Sequence, residues 1–79
     1  MSLSVAAART EALFASPLQR ADTPDPATIA EAIQAAVRAF GTRGCAARVA
    51  QEYGDHPETA ASRMRWVRTL LPDPREGTP

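Results

Sequence analysis

Lysine and asparagine are absent from this 79-residue sequence, so all nine basic side chains are arginine, and nine acidic residues bring the net charge to zero. Neutrality excludes a protein that works by bulk charge, such as a histone-like or polybasic membrane binder, and leaves only local electrostatics. Cysteine and histidine occur once each. A single cysteine excludes an intramolecular disulfide framework, and one Cys with one His is too few for a tetrahedral structural zinc site. No apolar run approaches the roughly 20 residues of a membrane span, and the N-terminus lacks the basic cluster and apolar stretch of a signal peptide. A cytoplasmic protein without membrane association is the expectation.

What the sequence has in abundance is alanine, the best intrinsic helix former. Together with arginine used to the exclusion of lysine, it suggests a GC-rich bacterial genome. At 8.4 kDa the chain is one small domain, able to bury roughly 60% of its unfolded surface. Because alanine fills much of the apolar count, the few larger apolar side chains must carry the core.

Their spacing predicts four helices. Residues 4–15 place Leu3, Ala6, Ala7, Leu13 and Phe14 on one stripe, and Pro17 ends that helix. A linker follows to Asp25. Asp25-Pro26 then pairs an N-cap side chain with a proline in the first turn, opening a helix over 26–40. Its stripe is Ile29, Ile33, Val37 and Phe40, and Gly41 follows where a left-handed residue closes a helix. Thr42 caps a third helix over 43–53, with Ala46, Val49, Ala50 and Tyr53 inward. A fourth, over 57–71 with Asp55 or His56 as cap, buries Ala60, Met64, Val67 and Leu71 and ends at Pro72. Residues 72–79, with three prolines and no large apolar group, read as a disordered tail.

The third and fourth helices are joined by almost nothing. Two helices that turn within a few residues containing a glycine suit a helix-turn-helix, in which Ala50 allows a close crossing, Gly54 makes the turn and Ala60 packs beneath. An ordinary helical hairpin satisfies the same periodicity. Residues 49–71, VAQEYGDHPETAASRMRWVRTLL, resemble the helix-turn-helix of bacterial sigma factor region 4 and related response-regulator DNA-binding domains, chiefly through Gly54, Pro57-Glu58-Thr59 and Ser62-Arg63-Met64-Arg65. Asp55 and Ala60 stand where those domains carry larger aliphatic residues.

The resemblance implies that the last helix enters the major groove. Glu58, Thr59, Ser62 and Arg65 would then meet base edges, and Thr42, Arg43, Arg63 and Arg68 would meet phosphates. Charge follows the same division: residues 43–71 sum to +2, and 1–42 and 72–79 to −1 each. So small an excess makes a monomer a weak DNA binder, at about 10⁻⁴ M, and useful affinity would need a homodimer or a transcription-related protein as partner.

Other residues raise competing roles. Trp66 and Leu70 flank the last helix, covered by Leu13, Phe14 and Leu18 or exposed as a protein interface. Cys45, near a helix start and two arginines, is either a small buried apolar residue or a redox-sensitive thiol. His56 suits a cap or the surface better than a metal site with Cys45. No phosphate loop, nucleophile elbow or metal-ligand pair is present, so no catalytic residue, metal or cofactor is assigned. The sequence thus predicts an all-α, four-helix domain over 1–71. Residues 1–25 are an accessory helix and linker and 26–71 a trihelical helix-turn-helix core. The expected function is a non-enzymatic DNA-binding or transcription-associated regulator, with a protein-interaction adaptor that binds no DNA as the alternative.

Overall fold

The computed structural model describes residues 5–71; Ser4, the expected first residue of the opening helix, and the expected tail over 72–79 lie outside them. Among the described residues all regular structure is helical: α1 Val5–Ala15, a 3-10 turn at Arg20–Asp22, α2 Pro26–Asp55 and α3 Pro57–Leu70. The expected count of four helices is therefore corrected to three. The stretches 26–40 and 43–53 belong to one element, α2, and are set at an angle by a break at Gly41.

Helix α2 starts as its sequence predicts. The Asp25 carboxylate accepts the Thr28 backbone N–H at 2.8 Å and its carbonyl accepts from Ile29, while Pro26 occupies the first turn, where no amide is needed. The hydrogen bonds from Thr28 hold the Asp25 carboxyl below the usual carboxylate range. At Gly41 the chain adopts φ 71 and ψ 168, a conformation open essentially to glycine alone. The left-handed residue expected there is present, but the helix resumes immediately beyond it.

Packing explains why the bend is needed. Ile29, Ile33 and Ala36 are buried on the first arm, Cys45 is buried on the second, and Val49 is packed against the same core. In a straight helix, at about 100° per residue, these two sets would face roughly opposite directions and could not share one core. Nine residues of straight helix would also separate Ala36 from Cys45 by about 13.5 Å. Instead the Cys45 thiol donates to the Ala36 carbonyl at 3.6 Å. Arg48 likewise lies over the Phe40 ring, 3.7 Å from its centroid. On the inner side of the bend, a Cβ at Gly44 would come within 2.9 Å of the Phe40 Cβ, so this position too requires glycine.

The bend revises the expected stripes. Val37 and Phe40 are exposed and Ala36 takes their place; on the second arm Cys45 is the buried residue, Ala46 and Val49 are half-buried, and Ala50 and Tyr53 are exposed. Helix α1 is no accessory. Ala12, Leu13 and Phe14 are among the most buried side chains, and the core closes over them with Ala60 and Val67 of α3.

Substituting Gly41 tests the bend through the backbone alone, because a Cβ there meets no atom within 4 Å. Gly41→Ala is expected to cost about 1–3 kcal/mol, read as a lower urea midpoint with an unchanged slope. Stability equal to the parent's would contradict the conformation at this residue.

Candidate functional site

Pro17 ends α1 by denying it a continuing amide, and the final carbonyls of the helix are left without intrahelical partners. Ser16 satisfies one of them: its backbone N–H and its hydroxyl both donate to the Leu13 carbonyl, at 3.2 and 2.6 Å. Arg63 of α3 takes the next ones. Its Nε donates to the Phe14 carbonyl at 2.9 Å, Nη2 to Ser16 at 2.8 Å and Nη1 to Leu18 at 2.9 Å. The guanidinium lies between two rings, 5.5 Å from the centroid of Phe14 and 5.4 Å from that of Trp66. A cation at a helix C-terminus also complements the helix dipole. Burial draws the Arg63 pKa below its ordinary value, partly offset by Glu52, and the side chain stays charged.

This clamp fixes the chain after α1 against α3, and the 3-10 turn then stands beside the first turns of α3. Gln19 helps hold that turn, its amide donating to the Asp22 carboxylate at 2.8 Å. Between the turn and α3 runs a groove of about 430 Å³, walled by Gln19 and Arg20 on one side and Glu58, Thr59, Ser62 and Trp66 on the other, with Arg63 shared. A second groove of about 420 Å³ lies on the opposite side of Arg63, between the end of α1 and the Arg48, Gln51 and Glu52 face of α2. Tyr53 closes over Phe14 nearby, the rings stacked with centroids 6.3 Å apart.

The expected base-contacting residues thus fall in two places. Glu58, Thr59 and Ser62 line the first groove, Ser62 being half-buried, whereas Arg65 is exposed and lines neither groove. Of the expected phosphate contacts, Thr42, Arg43 and Arg68 are exposed. Arg63 is half-buried, and three of its five N–H donors are engaged by carbonyls inside the fold. Trp66 and Leu70 are half-buried, packed against the core.

The turn itself also differs from expectation. Gly54 lies within α2 without a left-handed backbone, Ala50 is exposed rather than at a close crossing, and Asp55 is the last residue of α2. His56 alone joins α2 to α3, at φ −141 and ψ 68, with its amide bonded to the Glu52 carbonyl and its carbonyl accepting from Ala60. Its side chain makes no capping bond.

No protein-family model matches this chain, and no curated protein or solved structure matches it. Among the described residues no three His, Cys, Asp or Glu side chains gather as a metal site, and no helix is long and apolar enough to cross a membrane.

Gln19 and Arg20 are the site residues that sequence reasoning passed over, for they sat in a stretch read as plain linker. Arg63 did carry a signal. At about 100° per residue it lies within 60° of both Ala60 and Val67, on the shoulder of the buried stripe.

Two measurements check this geometry. Arg63→Ala is expected to destabilise the domain by about 2–3 kcal/mol through three lost charge-assisted bonds, less than additively because they share one group. Arg63→Lys should recover only a minor part, since an ammonium cannot span three carbonyls as a planar fork does. A lysine variant as stable as the parent would contradict the clamp. Cys45 is fully buried and burial pushes its thiol pKa up. Labelling by a thiol reagent should therefore be slow in native protein and fast in urea; rapid native labelling would restore the redox-sensing thiol.

Proposed function

We propose that this chain is a non-enzymatic protein-interaction module that receives an extended partner segment in the groove between the 3-10 turn and α3. The observation that carries the reading is shape. A major-groove reader presents the first turns of its recognition helix as a convex edge. Here Glu58, Thr59 and Ser62 instead form one side of a shallow, open groove whose other side is Gln19 and Arg20, with a half-buried tryptophan in its lining. A shallow groove with an aromatic side chain and a few polar groups suits a peptide segment better than a deeply enclosed small molecule.

Electrostatics support the same preference. Arg63 spends three of its N–H donors on carbonyls of the fold, so one fewer of the five arginines over residues 43–71 has all its donors free for a phosphate. DNA affinity depends on how many phosphates free cations can neutralise. A transcription-associated DNA binder is the second reading, favoured by Arg65 and Arg68, which are exposed and whose side chains have no hydrogen-bond or ion-pair partner among the described residues.

Fluorescence anisotropy with a labelled nonspecific duplex separates the two. The interaction-module reading expects no measurable binding at low salt, and no difference between the parent and an Arg65→Ala/Arg68→Ala variant. Salt-dependent binding that the double substitution abolishes would establish the DNA reading in its place.

A further inference from the structure

Helix α2 keeps helical geometry on both sides of Gly41, and that residue alone carries the non-helical φ 71 and ψ 168. Returning this one pair of torsions to helical values makes Pro26–Asp55 a single straight helix of about 45 Å. The first arm with α1 then parts from the second arm with α3 as two units. We propose that Gly41 is a hinge between two states of this protein, the bent monomer and a domain-swapped dimer in which α2 is straight and lies antiparallel to α2 of a second copy.

The face that straightening creates is apolar and complementary to itself. At about 100° per residue, Val37, Phe40, Gly41 and Gly44 lie between the buried face of the first arm (Ile29, Ile33, Ala36) and that of the second (Cys45, Val49), so the three sets join in one band. Val37 and Phe40 are each 36% exposed in the bent monomer. The bend brings Cys45 to Ala36 within one chain. An antiparallel pair that sets Ala36 of one copy against Cys45 of the other also sets Phe40 against Gly41 and Val37 against Gly44. Each large side chain then meets a glycine, which allows two helices to cross closely. The contacts between the two units are remade across the copies. Arg63 of one copy holds the Phe14, Ser16 and Leu18 carbonyls of the other, and each groove takes Gln19 and Arg20 from one copy and Glu58, Thr59 and Ser62 from its partner. The dimer carries two grooves, each incomplete without the second chain.

Two substitutions oppose the bend by different physics. Gly41→Ala penalises the backbone conformation at the hinge. Gly44→Ala places a Cβ 2.9 Å from that of Phe40 in the bent chain, whereas the same two atoms in a straight helix are about 5–6 Å apart. Both also raise helix propensity. Analytical ultracentrifugation of the full chain from micromolar to millimolar concentration is expected to show a monomeric parent at the dilute end and, in each variant, a dimer dissociation constant lower by about a thousandfold, because both chains of the dimer gain. The stability that Gly41→Ala loses in dilute protein should return as concentration rises. Straightening is read separately from the distance between spin labels at Gln34→Cys and Gln51→Cys, both exposed positions, in a Cys45→Ala background with labelled chains diluted into unlabelled ones. A straight helix sets these two Cα atoms about 25 Å apart, and the bend holds them closer. Either variant remaining monomeric across the range, folded or unfolded, would overturn the proposal. So would a dimer that keeps the shorter distance, which would be two bent copies side by side.

Discussion

Three carbonyls at the end of α1 and just beyond it are gathered by one guanidinium from α3, 45 to 49 residues later in the chain. A buried carbonyl without a partner is costly, and a proline two residues after the helix prevents the backbone from supplying one. Arg63 meets that need with a planar fork whose donors point in several directions at once. The consequences spread outward. The linker is held against α3, the 3-10 turn lands beside the first turns of α3, and the two grooves exist on either side of the same side chain. The rings of Phe14 and Trp66 flank the cation, so the polar joint is continuous with the apolar core.

The second organising constraint is the bend at Gly41. A small domain has few large apolar residues, and this one divides them between two arms of α2 whose buried faces would point apart in a straight helix. One residue in a glycine-only conformation brings both faces to α1, and Gly44 leaves room for Phe40 on the inside of the turn. Ala12, Leu13 and Phe14 are thereby enclosed, which makes α1 the centre of the packing.

Local signals in the sequence were sufficient for much of the backbone. Asp25-Pro26 marked the start of α2, Gly41 marked its break, and Pro57 with the spacing of Ala60 and Val67 marked α3, because caps, glycines and periodicity act within a turn or two. The phase of the buried stripes was less legible. Alanine on every face of α2 weakens the contrast between inside and outside, so Ala36 and Cys45 displaced Val37, Phe40 and Tyr53 from expected core positions. A helix-turn-helix reading of Gly54 also assumed a left-handed turn, whereas His56 alone changes the chain direction. Arg63 was the hardest to read. An arginine in an Arg-rich helix looks like a surface cation, and its carbonyl partners lie on a different helix and its following linker, beyond any local pattern.

Function follows the same logic. With Arg63 held internally, the face that resembled a recognition helix lines a shallow groove, and the chemistry on offer is an aromatic ring, three amide or hydroxyl side chains, one carboxylate and the Arg20 guanidinium, which supports the proposed recognition of a peptide segment. Nuclear magnetic resonance of the arginine side chains tests the underlying clamp most directly. The expected result is that Arg63, unlike exposed Arg65 and Arg68, shows a slowly exchanging Nε–H and resolved Nη resonances with contacts to Ser16 and Leu18. An Arg63 signal that exchanges and averages like those of Arg65 and Arg68 would contradict it.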